Sequence, residues 1–71
     1  MKLVKVTWHD AQSYDAWDGR DQEFEAPKCV TVGFLVEQTK KHIVVAGTRS
    51  RKDIACAMVI PMGMVKKVKR L

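Results

Sequence analysis

The sequence has few cysteines, few prolines and no long apolar run. Its 71 residues include two cysteines, Cys29 and Cys56, whereas small disulfide-stapled proteins usually carry about four or more. We therefore expect two reduced thiols. The longest mostly apolar stretch, 54–65, is broken by Pro61 and Gly63 and is shorter than the roughly 20 residues that span a bilayer. Since no apolar leader segment opens the sequence, we expect a cytoplasmic protein that does not enter a membrane.

Catalytic, metal-binding and cofactor-binding motifs are also missing. The cysteines and histidines are His9, Cys29, His42 and Cys56. They do not occur in the close pairs that ligate zinc, and no Gly-rich phosphate loop is present. Cys29 and His42 would form a nucleophile and its base only if the fold brought them together. We therefore expect no catalytic residue, no metal, no cofactor and no enzymatic activity.

The chain is small, and this limits its core. A domain of 71 residues buries only about 60% of the surface that its unfolded chain exposes. Apolar residues make up 46% and charged residues 30% of the sequence, which is typical of a folded globular domain. We expect residues 1–71 to form one domain. We also expect copies of it to form a homo-oligomer, because association buries further apolar surface.

Positive charge is concentrated in the second half of the chain, whose formal net charge as a whole is +5. Residues 1–37 contain four basic and seven acidic side chains, whereas residues 38–71 contain nine basic and one acidic. Six acidic residues lie close together: Asp10, Asp15, Asp18, Asp21, Glu23 and Glu25. This division predicts an acidic loop and a basic half that attracts an anionic partner such as nucleic acid or a nucleotide.

Alternation of apolar and polar residues, the pattern of half-buried strands, recurs along the chain. Val4, Val6 and Trp8 alternate with polar residues, and all three are expected to face the core. Residues 29–38 alternate next, and Gly33 within them predicts a bend or bulge. One face of that strand consists of Val30, Val32, Phe34 and Val36. Further strands are predicted at 42–48, with Ile43 and Val45 inward, at 54–60 and at 64–71.

Five short strands in antiparallel order predict an all-β fold, a small five-stranded SH3-like or Sm-like barrel whose closure removes exposed edges. A long first loop follows the first strand, and a short turn precedes the last strand. Val65, Val68 and Leu71 recur at three-residue spacing, so a helix over 64–71 is the alternative for the C-terminal segment.

The densest basic segment is the predicted turn between the third and fourth strands. It reads Thr48-Arg49-Ser50-Arg51-Lys52. Two planar guanidinium groups can bind phosphate oxygens in a bidentate manner, and the hydroxyls of Thr48 and Ser50 add donors. We predict a phosphate site here, and the alternative is a solvated charged turn.

Aromatic side chains in the first loop, between Asp10 and Lys28, are candidates for stacking on a nucleobase. Tyr14 and Trp17 lie there, and Arg20 follows closely enough to add a cation to the site. Stacking on an aromatic ring contributes about 1–3 kcal/mol per base. The alternative is that these rings anchor the loop to the barrel.

Lysines outside the basic turn suggest a second kind of ligand. Lys40 and Lys41 lie in the turn after the second strand, and Lys66 and Lys69 lie in the last strand. Alternation along a strand places Lys66 and Lys69 on opposite faces. We therefore interpret these lysines by default as solvated surface charges, and the alternative is that they attract single-stranded RNA.

Three short motifs are spread along nearly the whole chain: Val6-x-Trp8-x-Asp10-Ala11-x-Ser13 followed by Trp17, Thr31-Val32-Gly33-x-Leu35-Val36, and Ile60-Pro61-x-Gly63-Met64-Val65. With them the chain resembles small bacteriophage proteins with an Sm-like barrel. The resemblance implies a ring-like or compact homo-oligomer that acts inside an infected bacterium. Phage oligomers of this scale include sponges, which bind cyclic nucleotide signals of host defence at subunit interfaces without cleaving them. Sm-like proteins generally bind single-stranded RNA on loops around a ring.

Three functions remain open at this point. The first is a non-enzymatic, phage-type protein that sequesters a small phosphate-bearing nucleotide, above all a cyclic nucleotide signal. The second is an Sm-like ring that binds single-stranded RNA. The third is a small structural or protein-interaction module, since the acidic loop suits a basic protein partner.

Overall fold

Five antiparallel strands in one sheet make up the fold. The computed structural model describes residues 1–11, 17, 19–20 and 23–71. The strands are β1 (Leu3–His9), β2 (Lys28–Gln38), β3 (His42–Arg49), β4 (Ile54–Pro61) and β5 (Val65–Arg70), with a 3₁₀ turn at Met62–Met64. Their order in the sheet is β4-β3-β2-β1-β5. The predicted all-β fold of five antiparallel strands, with its long first loop and its short turn before the last strand, is confirmed. In the described residues β4 and β5 lie at the two ends of the sheet and do not pair, so the predicted closure that removes exposed edges is not observed.

The C-terminal segment is a strand, so the alternative of a helix over 64–71 is wrong. β5 pairs with β1, and Val68 lies opposite Val6. A register shift between Thr7 and Trp8 then brings Val65 opposite Trp8. Because of this bulge, two valines three residues apart both face the core, which reproduces the spacing of a helix. Within the described ranges, no helix is long and apolar enough to cross a membrane.

The core lies on one face of the sheet. Its buried residues are Val4, Val6, Ile43, Val45 and Ile60. Trp8 is partly buried against them, and its Nε1–H donates a hydrogen bond of 2.9 Å to Thr31 Oγ1. The inward orientation predicted for Val4, Val6, Trp8, Ile43 and Val45 is therefore confirmed. Five buried core residues on three strands leave only a thin core, as the length of the chain requires.

Apolar residues occupy both faces of β2. Val4 lies opposite Gly33 and Val6 lies opposite Thr31, so Thr31 and Gly33 share the inner face. Val30 and Val32 consequently point outward and are 55% and 52% exposed. A Cβ atom on Gly33 would come within 2.7 Å of the carbonyl oxygen of Ala46 on β3, so glycine allows the two strands to approach closely. The bulge in β2 lies between Leu35 and Glu37, just beyond Gly33.

The β3–β4 hairpin extends beyond the rest of the sheet. Pairing of β2 with β3 ends at Phe34 and Ala46, whereas pairing of β3 with β4 continues to Arg49 and Ile54. All residues from Gly47 to Val59 are exposed, and we call this segment the β3–β4 arm. The radius of gyration is 15.1 Å, compared with about 11 Å for a compact domain of this length. Most apolar residues of β4 therefore lie outside the core.

Candidate anion-binding surfaces

The end of the β3–β4 arm is a closed four-residue turn. The Ser50 N–H donates to the carbonyl oxygen of Asp53 at 2.7 Å, and the Asp53 N–H donates to Ser50 Oγ at 3.0 Å. The Ser50 hydroxyl also lies 3.4 Å from the Asp53 carbonyl oxygen, to which it donates. Ser50 thus orders the turn, and its hydroxyl is engaged within it. Arg51 and Lys52 occupy the two central positions and are exposed.

Arg49 enters this turn from β3 and contacts an aromatic ring. The Arg49 guanidinium carbon lies 5.1 Å from the centroid of the Phe34 ring, which is a cation–π distance. Thr48 precedes it, opposite Ala55, and is exposed. We call Arg49–Asp53 the arm tip. Three cations and one carboxylate lie in it, so its formal charge is +2. In the part of the chain that the structure describes, none of these cations forms an ion pair.

The first loop lies only partly within the described residues. Tyr14 lies outside them, and its predicted role as a stacking platform stays a prediction. Trp17 has a relative exposure of 105%, so its ring is packed against nothing in the described structure. It does not anchor the loop to the sheet, and its ring is accessible to a ligand. Arg20 is also exposed.

Lys40 and Lys41 lie at the opposite end of β3 from the arm tip. The turn around them is closed by Thr39, whose Oγ1 accepts hydrogen bonds from the N–H groups of Lys41 and His42 at 3.1 and 3.2 Å. His42 Nε2 lies 2.6 Å from Glu37 Oε2. β3 spans eight residues, or about 25 Å at the usual rise of a strand. The structure therefore keeps this basic turn and the arm tip apart.

A third group of lysines lies on the outer face of the sheet. Lys5 of β1 lies directly opposite Lys69 of β5, and Lys67 lies opposite Thr7 on the same face. We call Lys5, Lys67 and Lys69 the outer-face lysines. In the described structure none of the three has an acidic partner, and like charges in cross-strand positions repel. Lys66 lies at the register shift and has no partner residue on β1, so it does not belong to this group.

Sequence reasoning missed Lys5 because its neighbourhood depends on the pairing of the first and last strands. Local alternation places Lys5 on the face opposite Val4 and Val6, and this is as far as the sequence goes. Only the β1–β5 register brings Lys69 against it. Finding the pair from sequence would have required both the adjacency of the first and last strands and their register.

The residues considered for catalysis are far apart. Cys29 lies opposite Trp8 near the start of β2, while Gln38 at the other end of β2 lies opposite Ile43, the neighbour of His42. Gln38 lies nine positions after Cys29 on the strand, or roughly 30 Å away. Cys29 and His42 are therefore not brought together. Among the described residues, no group of three His, Cys, Asp or Glu side chains could hold a metal, and no cavity is enclosed.

Comparison with protein-family models, with curated proteins and with solved structures finds no match for this chain. The likeness to Sm-like phage proteins stays a prediction from the sequence motifs.

Proposed function

We propose that this protein binds a small phosphate-bearing nucleotide without changing it chemically, and that the arm tip holds the phosphate. One observation carries the proposal. Arg49, Arg51 and Lys52 lie within one closed turn, exposed and without an acidic partner in the described structure. Exposed cations held close together by the backbone repel one another, and a phosphate placed between them relieves that repulsion.

The closed turn favours binding because it lowers the entropy lost when a ligand is held. Ser50 and Asp53 fix the backbone at both sides of Arg51 and Lys52, so only the two side chains need to be ordered. A guanidinium offers a planar fork of donors that matches phosphate oxygens, and the lysine adds a point charge. The hydroxyl of Thr48 is the remaining donor that we assign to this site.

The nucleobase would stack on an aromatic side chain of the first loop. Trp17 presents an unpacked ring and Tyr14 is the second candidate. Arg20 follows both in the sequence and would add a cation to the site. The arm tip is an open surface, so a second copy of the chain or the first loop has to cover the base. In this proposal the protein is a homo-oligomer in the cytoplasm of an infected bacterium, where it sequesters a cyclic nucleotide signal of host defence.

A panel of nucleotides tests the proposal. Purified protein is titrated in a calorimeter with cyclic dinucleotides, cyclic trinucleotides, linear mononucleotides and inorganic phosphate. We expect saturable binding of at least one nucleotide, stronger than binding of phosphate alone, and recovery of that nucleotide intact after the protein is denatured. Failure of every member of the panel to bind would overturn the proposal. Recovery of a cleaved product would contradict its non-enzymatic part.

Binding of single-stranded RNA is a second candidate, and the outer-face lysines favour it. Lys5, Lys67 and Lys69 form a column beside the exposed Val30 and Val32, so phosphates and bases could contact neighbouring strands of one face. Lys40, Lys41 and Lys66, also predicted from the sequence, lie outside this group. An RNA ligand predicts an affinity that falls with salt, with a slope of about 0.7 for each phosphate contacted. Binding that does not change with salt would contradict it.

A further inference from the structure

One edge of the sheet is long, uncharged and unprotected. Among the described residues, β4 is the terminal strand of the sheet and pairs with β3 alone. Six consecutive residues of β4, Ile54–Val59, are exposed, and no charged residue occurs from position 54 to position 65. The free edge of such a strand presents unpaired N–H and C=O groups together with apolar side chains. Soluble proteins normally protect such an edge with charges or cover it with a partner.

The opposite edge of the sheet is protected. β5 reads Val-Lys-Lys-Val-Lys-Arg, so four of its six residues are cationic. Lysines on an edge strand prevent pairing with another copy of the same edge, because like charges would lie side by side. β4 lacks this protection. The same chain thus blocks one edge and leaves the other available, and the available edge is complementary to itself because it is apolar throughout.

We propose that two copies of this chain associate through their β4 strands, which pair in antiparallel fashion about a two-fold axis to form one continuous sheet. Exposed Ile54, Met58 and Val59 then pack against uncharged residues of the partner's β4. This inference specifies the self-association proposed above and does not depend on the nucleotide. Pairing of β4 with a partner's β5 is less favourable, because β4 offers no acidic side chain to the four cations.

The backbone of β4 indicates where the axis passes. Cys56 has a φ of 57°, in the left-handed region that residues other than glycine rarely adopt. Regular pairs to β3 are formed on either side of it, Ala46 with Ala57 and Thr48 with Ala55. A two-fold axis at Cys56 places the irregular residue against its own copy and leaves the regular ladder on both sides undisturbed. Any other register would set Cys56 against a regular strand.

Charge favours the antiparallel arrangement over a parallel one. With the axis at Cys56, the two Lys52 residues are separated by about eight residues of strand, or roughly 26 Å. This separation is well beyond the screening length of about 8 Å at physiological salt, so the two basic arm tips hardly repel each other. Parallel pairing would bring the tips side by side. The proposed dimer therefore keeps both arm tips exposed.

Mass measurement and cross-linking of the ligand-free protein test this inference. Sedimentation equilibrium is expected to give twice the chain mass of 8.1 kDa. In the Cys29→Ser variant, Cys56 is the remaining thiol. Directly opposed residues have Cβ atoms about 4.5–5.5 Å apart, so a short bismaleimide is expected to join the two copies of Cys56. A monomer, a larger ring, or a dimer that the bismaleimide does not join would each overturn the inference.

A pair of alanine substitutions provides the matched comparison. Ala57→Lys places two lysines close to the axis, about 7–8 Å apart on the diagonal, and is expected to weaken the dimer at least ten-fold. Ala26→Lys adds the same charge at an exposed position outside β4 and is expected to leave the dimer unchanged. Thermal melts verify that both variants fold. Equal effects of the two substitutions would overturn the inference, and a monomer that still binds a nucleotide would overturn it while leaving the proposed function intact.

Discussion

Gly33 offers the sharpest test of the fold, because the space around it is limited by backbone atoms. A Cβ atom at this position would lie 2.7 Å from the carbonyl oxygen and 3.3 Å from the carbonyl carbon of Ala46. Favourable contacts begin near about 3.5 Å, and neither atom of Ala46 can rotate away. In the variant Gly33→Ala, β2 and β3 must therefore separate by several tenths of an ångström beside the core residue Val45.

The expected cost follows from this overlap. Forcing an extra methyl group into a packed site lowers the free energy of unfolding by about 1–3 kcal/mol. Replacing glycine also lowers the entropy of the unfolded chain, which offsets about 0.4–1 kcal/mol of this loss. We expect Gly33→Ala to lower the free energy of unfolding by about 1–2 kcal/mol. For a domain of this size each kcal/mol lowers Tm by about 4–8 °C, so Tm should fall by roughly 4–16 °C.

Gly63→Ala is the matched control, since nothing lies within 4 Å of a Cβ atom there and the backbone has no positive φ. It should leave Tm unchanged or raise it by a few degrees. Urea and thermal unfolding followed by circular dichroism measure both variants. Equal stability of the two would show that β2 and β3 do not approach as closely as the structure has them.

Two further substitutions test the packing and the charge of the sheet. Trp8→Phe removes the hydrogen bond to Thr31 and is expected to cost about 0.5–1.5 kcal/mol in urea unfolding, whereas Trp17→Phe at a fully exposed position should cost nothing measurable. A similar loss in both variants would refute the assigned role of Trp8. Lys69→Glu replaces the repulsion with Lys5 by attraction and should stabilise the fold by about 0.2–1 kcal/mol at low salt. This gain in stability should shrink in high salt and should be absent in Lys66→Glu. A gain of equal size in both variants would show that only the net charge of the protein matters.

The strands could be predicted because their signal is local. Alternation in 29–38 and 42–48 identified β2 and β3 to within a residue or so, and it identified the inward residues of β1 and β3. The faces of β2 could not be assigned in this way, because Val30 and Val32 are as apolar as the inner positions. The identity of the inner face depends on which residues of β1 lie opposite, and this is a long-range property.

The C-terminal segment and the β3–β4 arm also depend on strand pairing that local sequence patterns do not reveal. Three-residue spacing of Val65 and Val68 suggested a helix because Lys66, which has no partner on β1, forms a bulge that changes which residues of β5 face inward. The apolar run of β4 is typical of a buried strand, yet only Ile60 is buried, since β2 stops pairing with β3 at Phe34 and the hairpin continues alone. Neither the bulge nor the end of pairing has a local signature.

The candidate site also has a part that could be predicted from sequence and a part that could not. The arm tip could be predicted, because Arg49, Arg51 and Lys52 are neighbours in sequence and any tight turn keeps them together. The packing of Arg49 on Phe34 and the opposition of Lys5 and Lys69 could not, since each joins residues that lie far apart along the chain. Clusters of charge formed by sequence neighbours can be predicted from the sequence. Clusters that the strand register brings together can be found only once the fold is known.

The central claim, that the arm tip holds a phosphate, is tested most directly by calorimetric titration of two charge-matched variants with the tightest nucleotide of the panel. Arg51→Ala/Lys52→Ala removes two cations from the arm tip, and Lys40→Ala/Lys41→Ala removes two from the other end of β3. Each charge-assisted hydrogen bond contributes about 1.5–3 kcal/mol, and about 1.4 kcal/mol is a ten-fold change in affinity. We predict that the first variant binds at least ten-fold more weakly than the original protein and that the second binds within about two-fold of it. An arm-tip variant that binds as tightly as the original protein, or two variants weakened equally, would contradict the account.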